Sequence, residues 1–254
     1  MLKEYFKIDK ELVKTKFQNC LETYHDEAIV QKKIAENLFF MINEKIQQAD
    51  RILEIGCGSG FLTDKLVKSF PESFFFINDI VDEYINVVER LNNKKMMYIC
   101  EDMDIMEIPE NLDLVVSASA IQWSDDLAKL ISRVSKKLRK GGYFIFSSFG
   151  FRNFYQISDL AESSLKYFSR DELEEMMSDF TNFEYSCEEI TIYFDKAIDI
   201  LRHQKNTGVN ALPLKEMNAG KLMKFLREYE QKYSSVDGVP LTYNPIYIAA
   251  RKND

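Results

Sequence analysis

The segment 54–60 has the sequence EIGCGSG and places glycines at alternate positions between a short apolar run and an amphipathic run. Glycine permits positive φ and has no Cβ, so a cofactor can approach the backbone where a strand turns into a helix. Such a repeat alone is also compatible with an ordinary strand-to-helix turn. The candidate cofactor-binding residues of this loop are Glu54, Gly56, Cys57, Gly58 and Gly60.

Carboxylates stand at the expected ends of the next two strands. Asp79 lies nineteen positions after Gly60 (79 − 60 = 19) and is followed by Ile80. A carboxylate there can accept hydrogen bonds from both hydroxyls of a ribose. Asp102 could accept from an adenine amine while Met103 packs on the ring. Each carboxylate alone could be a solvated loop residue, but the ordered set predicts an adenosine-containing cofactor.

The glycine spacing and Glu54 distinguish between cofactors. A dinucleotide fingerprint needs a third glycine near the helix, whereas here the spacing is compressed to Gly56, Gly58 and Gly60, and Phe61 follows. Glu54 would repel a diphosphate and attract a cationic head group. We therefore expect a positively charged cofactor without phosphate.

The elements that must position these residues alternate along the chain. Apolar positions spaced by three and four predict helices over the first fifty residues. The pattern then predicts strands 51–55, 74–78, 96–100, 112–118 and 143–148, and helices 61–70, 82–91 and 125–138, the last closed by Gly141 and Gly142. Helix 170–177 and strands 188–194 and 245–251 follow. This rhythm predicts an α/β fold with a mostly parallel sheet covered by helices on both faces.

The predicted organisation is a single domain over residues 1–254. Residues 1–50 form an N-terminal helical cap, 51–148 the cofactor-binding core, and 149–254 a substrate wall with lid insertions and the last strands. About 50 residues, 195–244, separate the last two predicted strands, more than a turn requires. Such insertions beside a sheet's carboxyl edge commonly form a lid.

Composition excludes several classes of protein. The net charge of −8 disfavours a nucleic-acid surface, which needs clustered Lys and Arg. No apolar run approaches the roughly 20 residues needed to span a bilayer, and no secretory signal is apparent. Four dispersed cysteines and two histidines give no metal-ligand spacing. We expect a cytoplasmic monomer without metal and without membrane or nucleic-acid partners.

The residues over 51–148 resemble those of class I S-adenosylmethionine methyltransferases, in order from the glycine loop through Asp79 and Asp102 to the LDLVVS strand. The resemblance implies a Rossmann-like fold with a seven-stranded sheet, S-adenosylmethionine as the cofactor, and a cofactor contact at Ser117.

Segments outside this core carry a narrower resemblance. The segments are SASAIQW at 117–123, LRHQKNTG at 201–208, LTY at 241–243 and ARK at 250–252, with Phe17, Tyr24 and Gln31 in matching order. They resemble the malonyl-acyl-carrier-protein O-methyltransferases of biotin synthesis. The segment FGFRNF at 149–154 departs from that pattern, where a smaller and more polar turn is expected.

That resemblance implies methylation of the free carboxylate of a malonyl thioester. A carboxylate is ionised at neutral pH, so no general base is required. Arg202 is expected to bind the carboxylate through its forked guanidinium, Tyr24 to help close the pocket, and Gln122 and Trp123 to border it. The alternatives are a surface arginine for Arg202, ordinary packing for Tyr24 and a core aromatic for Trp123.

The implied partner is an acidic acyl-carrier protein carrying a malonyl group. Candidate docking residues, each otherwise part of a solvated face, are Arg152, Lys166, Arg170, Lys205 and Lys215. The acceptor could instead be a small carboxylic acid or another metabolite. A non-catalytic adenosyl-binding subunit and a nicotinamide dehydrogenase are the alternatives from other functional classes.

Overall fold

The computed structural model describes residues 4–5, 8–161, 163–209 and 218–253. The 3-10 turns lie at Asp82–Tyr84 and Ile121–Trp123. The strands and helices are, in chain order, β1 (Glu4–Tyr5), α1 (Lys10–Gln18), α2 (Leu21–Glu27), α3 (Ile29–Lys45), β2 (Arg51–Ile55), α4 (Thr63–Ser69), β3 (Phe74–Asp79), α5 (Ile85–Leu91), β4 (Met96–Cys100), β5 (Leu112–Ser117), α6 (Leu127–Lys137), β6 (Leu138–Phe149), α7 (Tyr155–Ala161), β7 (Ser163–Ser164), α8 (Arg170–Met176), β8 (Phe180–Cys187), β9 (Ile190–Phe194), α9 (Ala197–Asn206), α10 (Ala219–Tyr233), β10 (Val239–Tyr243) and β11 (Pro245–Lys252).

These elements form two compact units. The sheet unit comprises the described residues within 29–148, 168–187 and 246–254. The insert unit comprises those within 1–28, 149–167 and 188–245. The predicted N-terminal cap is thus divided, because α1 and α2 belong to the insert unit while α3 belongs to the sheet unit. The single-domain organisation stays a prediction.

A seven-stranded sheet in the order β4-β3-β2-β5-β6-β11-β8 forms the centre of the sheet unit. β2 pairs in parallel with β3 on one side and β5 on the other, and β4 and β6 extend the parallel part. β11 and β8 pair antiparallel. The predicted α/β class and mostly parallel seven-stranded sheet are confirmed.

Burial explains why these segments are strands. Every residue of β5 and nearly all of β2 and β3 are buried, as apolar runs covered on both faces of a parallel sheet should be. Since β–α–β connections are right-handed, the reversal of strand order at β2 and β5 sends successive helices to opposite faces. The same reversal opens a crevice beyond the carboxyl ends of β2 and β5, where such folds bind ligands.

The end of α6 differs from the prediction. Its start is capped by Asp126, whose side chain accepts from the backbone N–H of Lys129 at 3.0 Å. However, α6 ends at Lys137, and Gly141 and Gly142 lie inside β6, so the prediction that they close the helix was wrong. The pairing of β5 with β6 shifts register between Leu112 and Leu114, which accounts for glycines at this point of a strand.

Some strands were not predicted. β8 was missed because it lies at the edge of the sheet and most of its side chains are exposed, which removes the apolar signal. The predicted strand 188–194 corresponds to the shorter β9, which pairs antiparallel with β10 in the insert unit. The remaining predicted strands agree with the structure within about two residues, except that β6 begins at Leu138, before the predicted start at 143.

The insert unit is mostly helical. α9 contacts α2 and α10, and α10 also contacts α7. These helices confirm the predicted helical insertions near the C-terminus. Residues 210–217, and with them Lys215, lie outside the described residues. Over the described ranges, none of the helices has the length and apolar character needed to cross a bilayer.

Candidate functional site

The glycine loop makes a tight turn at the end of β2. The backbone N–H groups of Gly56 and Cys57 both donate to the Asn78 carbonyl at 2.9 Å, which holds the loop against the end of β3. Gly56, Gly58 and Gly60 all have positive φ, at 73°, 50° and 86°. A Cβ on Gly56 would lie 2.2 Å from the Ala120 Cβ, whereas a Cβ on Gly58 would meet nothing within 4 Å. Gly56 therefore allows close packing of two loops, and Gly58 borders open space.

Asp79 supports the glycine loop directly. Its carboxylate accepts from the Gly58 N–H at 2.9 Å and from the Val81 N–H at 3.1 Å. Burial raises the pKa of Asp79 to about 6, against the lowering effect of these N–H groups and that of Ile80. Ile80 itself is half-buried. The carboxylate therefore links the ends of β2 and β3, and its remaining lone pairs could accept from a ribose.

Glu54 lies beneath the loop. Its side chain is 1% exposed and accepts from the Thr63 hydroxyl at 2.6 Å. Burial raises the pKa of Glu54 to about 8, and the negative charges of Asp79 and Asp64 add to this effect. Burial likewise raises the pKa of the Cys57 thiol, with Asp79 and Glu54 adding to it. Below pH 8 the buried site favours the neutral form of Glu54, and a bound cation would stabilise the charged form.

The loop after β4 holds the next two predicted residues. Asp102 is half-buried and accepts from the Asp104 N–H at 3.0 Å, while Met103 packs against the core of the sheet unit. Arg133 on α6 donates to the carbonyls of Met103 and Asp104 at 2.8 and 2.7 Å. The loop is therefore fixed by a residue that sequence reasoning missed, because only the tertiary fold brings α6 to it.

The β5 loop, residues 117–122, contains Ser117 and Gln122. Ser119 has φ of 55°, and its N–H donates to the Ser147 hydroxyl at 2.9 Å. Its carbonyl accepts from the Gln122 Nε2 at 2.6 Å. Over the described chain, Ser117 Oγ, Ser119 Oγ and Gln122 Oε1 are buried without a hydrogen-bond partner. Trp123 is half-buried at the end of the following 3-10 turn.

Two predicted catalytic residues lie in the insert unit. Tyr24 on α2 is half-buried, and its ring meets Phe17 edge-on with centroids 6.1 Å apart. Arg202 on α9 has a side chain that is 69% exposed and pairs with Asp199 at 2.6 Å. The neighbouring His203 points inward instead, 2.8 Å from the Tyr243 hydroxyl, and burial lowers the pKa of His203.

The predicted cofactor residues therefore gather in the sheet unit. The ends of β2, β3 and β5 are neighbours in the sheet, and the end of β4 follows β3. The open space at Gly58 and the buried, unpartnered Ser59 hydroxyl, judged over the described chain, fit a ligand at this loop. The acidic Glu54, Asp79 and Asp102 suit a cationic nucleoside better than a diphosphate. The described residues contain no cluster that could hold a metal ion.

Comparisons with known proteins agree with this geometry. Residues 53–146 match a family described as a methyltransferase domain. A malonyl-[acyl-carrier protein] O-methyltransferase of Chlorobium luteolum is 34% identical, with 96% of each chain covered. One of Bacteroides thetaiotaomicron is 31% identical over 96% of this chain and 99% of its own. The structure of the YcgJ protein from Bacillus subtilis has a TM-score of 0.63 at 15% identity, covering 86% of this chain and 99% of its own, and supports the fold. This chain belongs to the malonyl-[acyl-carrier protein] O-methyltransferase family.

Proposed function

We propose that this chain transfers the methyl group of S-adenosylmethionine to the free carboxylate of a malonyl group on acyl-carrier protein, an early step of biotin synthesis in the cytoplasm. The observation that carries the proposal is similarity over almost the whole chain to relatives of that name, insert unit included. The acidic glycine loop of the sheet unit independently supports the cationic cofactor.

Several residues would hold the cofactor. We assign the open space at Gly58 to its backbone contact, Asp79 to the ribose, and Asp102 with Met103 to the adenine. Glu54 would stabilise the cationic amino-acid end, with Ile80 and Ser117 bordering the site. When bound, S-adenosylmethionine supplies a methyl group on a sulfonium that passes to an acceptor oxygen without exchange of a proton.

The chain then needs to orient its substrate more than to move protons. The acceptor carboxylate is ionised at neutral pH, so none of the buried carboxylates has to act as a base. Positioning alone can contribute roughly 7–11 kcal/mol in favourable cases. We assign Gln122 and Trp123 to the border of the acceptor site, and keep Tyr24 and Arg202 as candidates for closing the pocket and contacting the carboxylate.

A carrier protein with an acidic surface needs a local positive face on this acidic chain. Of the basic residues proposed from the sequence, Arg152 and Arg170 are exposed but face glutamates, namely Glu189 and Glu174. Lys166 and Lys205 are exposed as well. These residues stay candidates for docking.

Helix α10 offers a further positive face. Lys221, Lys224 and Arg227 recur at three-residue spacing on its exposed side, next to Met223, which is 60% exposed, and Lys224 also lies 3.6 Å from Glu228. Charge complementarity makes this face our preferred docking surface for the carrier protein.

The test of the function uses purified protein with labelled S-adenosylmethionine and malonyl-acyl-carrier protein. We expect methylation of the malonyl carrier but not of the acetyl carrier, which lacks the free carboxylate. Preference for free malonate would favour a small-acid methyltransferase instead. Tight cofactor binding without turnover on any of these acceptors would favour a binding subunit.

The docking surface is tested separately. Replacing Lys224 and Arg227 by Gln should raise KM for the malonyl carrier and leave KM for a malonyl-pantetheine thioester unchanged. Equal effects on both substrates, or no effect on either, would remove α10 as the docking surface without affecting the proposed reaction.

A further inference from the structure

We propose that the β5 loop contains the binding site for the acceptor carboxylate, with the Ser119 hydroxyl as a hydrogen-bond donor to it. This inference rests on the proposed function, because it assigns the carboxylate of that reaction to a particular residue. Ser119 lies in the segment SASAIQW at 117–123, but the candidate site residues predicted from the sequence did not include it.

The first observation is a group of unsatisfied polar atoms. Within the β5 loop, and judged against the described residues, Ser117 Oγ, Ser119 Oγ and Gln122 Oε1 are buried and lack hydrogen-bond partners. Buried polar groups in folded proteins nearly always have a partner, so several exceptions within six residues require an explanation. A ligand that accepts a hydrogen bond would provide the missing partner for a serine hydroxyl of this loop.

The second observation is the backbone of Ser119. Its φ of 55° lies in the left-handed region, which costs free energy for a residue with a side chain. The Ser147 hydroxyl and the Gln122 amide bind its N–H and its carbonyl, so the loop is fixed on both sides of the residue. Strained residues held in this way are concentrated at functional sites.

The Gln122 side chain has a defined orientation. Because its Nε2 donates to the Ser119 carbonyl, the amide cannot be reversed without setting two oxygens against each other. Gln122 Oε1 is therefore an acceptor and cannot bind a carboxylate. We assign Gln122 as a positioning residue that fixes Ser119, and Ser119 as the residue that touches the substrate.

The β5 loop lies where an acceptor group beside the cofactor would be expected. In the sheet, the residues assigned to the nucleoside follow β2, β3 and β4, while β5 lies on the opposite side of β2. The β5 loop nevertheless touches the glycine loop, since a Cβ on Gly56 would lie 2.2 Å from the Ala120 Cβ. A carboxylate bound at Ser119 would therefore lie beside the glycine loop, away from the nucleoside end.

The chemistry of a neutral donor suits a nucleophilic carboxylate. A hydroxyl can orient one carboxylate oxygen while the negative charge remains available for attack on the methyl group. A guanidinium would bind more strongly, and it would also stabilise the charge that must be lost in the reaction. Arg202, by comparison, is exposed within the insert unit and paired with Asp199.

The test compares Ser119→Ala with the control Ser135→Ala. Ser135 is also buried, but its hydroxyl donates to Asp179 at 3.0 Å, and it lies on α6 away from the β5 loop. Ser119→Ala should raise KM for the malonyl carrier about ten- to hundred-fold, as expected for a lost hydrogen bond to a charged group. It should leave the Kd for S-adenosylmethionine unchanged and should not lower Tm, since an unpartnered hydroxyl is removed. Ser135→Ala should lower Tm and leave KM unchanged.

Ser119→Gly provides a second variant that also relieves the left-handed backbone. It should raise Tm and reproduce the increase in KM. An unchanged KM in both Ser119 variants, with the wild type active, would overturn this proposal and leave the proposed function intact. A weaker Kd for S-adenosylmethionine would place the hydroxyl at the cofactor instead and would also overturn it. A wild type that methylates no carboxylate would refute the proposed function, and the carboxylate site with it.

Discussion

Alanine substitutions at Gly56 and Gly58, two positions apart, should affect different properties. Gly56→Ala should mainly lower the stability of the fold, and Gly58→Ala should mainly weaken cofactor binding. Both have positive φ, so each alanine costs about 1–2 kcal/mol in backbone strain. At Gly56 the new Cβ would also approach the Ala120 Cβ to 2.2 Å, and overpacking of this kind costs about 1–3 kcal/mol more. Gly56→Ala should therefore lose about 2–5 kcal/mol of unfolding free energy, the sum of the two costs. Gly58→Ala should lose only the first part.

Cofactor affinity should be affected more by the substitution at Gly58 than by the one at Gly56. The Cβ of Gly58→Ala would enter open space that we assign to S-adenosylmethionine, so its Kd should rise at least about ten-fold, or ~1.4 kcal/mol. Chemical denaturation measures the stabilities, and calorimetry with S-adenosylmethionine measures the affinities.

The double variant Gly56→Ala with Ala120→Gly serves as the control for steric conflict. Removing the Ala120 methyl group should recover about 0.5–3 kcal/mol relative to additive behaviour, as is usual for residues in contact. Equal destabilisation by the two alanines, or no recovery in the double variant, would refute the packing of the glycine loop against the β5 loop.

Further predictions concern the charged residues. Because the pKa of Glu54 rises from 4.5 to about 8 on folding, the folded state binds the Glu54 proton more tightly than the unfolded state does. The stabilisation from this bound proton should therefore be lost as pH rises from 4.5 to about 8. Glu54→Gln should flatten this pH dependence in denaturation without cofactor, and an unchanged slope would contradict the burial argument. Asp79→Ala should weaken S-adenosylmethionine binding by about 1–3 kcal/mol and also lower Tm, since it removes the acceptor for Gly58; an unaffected Kd would exclude the ribose contact. Arg202→Ala should change unfolding free energy by less than about 1 kcal/mol, because its pair with Asp199 is exposed. With the carboxylate bound at Ser119, the same variant should leave turnover and cofactor affinity unchanged, whereas impaired turnover at normal cofactor affinity would assign the carboxylate to Arg202 instead.

The parallel part of the sheet could be predicted because its signals are local. β2, β3 and β5 are short apolar runs, and the glycine loop marks where the first of them turns into a helix. Asp79 and Asp102 could be placed at one edge because parallel strands carry their carboxyl ends to the same edge. The edge strand β8 gave no comparable signal, since its exposed side chains lack a continuous apolar run.

Hydrogen bonds between distant segments could not be predicted. Thr63 under Glu54 and Arg133 on the loop after β4 depend on how helices pack on the sheet. The same holds for the hydrogen bond by which the Gly58 N–H donates to Asp79 and which stabilises the glycine loop. Residue type and spacing indicated where the site lies, but only packing determines which side chains hold it.

The orientation of Arg202 could have been found from helical periodicity. Ile200, Leu201 and Gln204 on α9 are buried, so the helix turns these positions and His203 inward, and Arg202 falls on the outer side. The resemblance of the segment LRHQKNTG alone did not distinguish Arg202 from His203. The structure therefore supplies His203 as an inward residue of α9 that the sequence reading left aside.

The most direct test of the proposed activity is intact-mass analysis of carrier proteins after incubation with this protein and S-adenosylmethionine. We expect the malonyl carrier to gain the mass of one methyl ester and the acetyl carrier to remain unchanged. An unmodified malonyl carrier, under conditions where calorimetry shows the cofactor bound, would contradict the assignment.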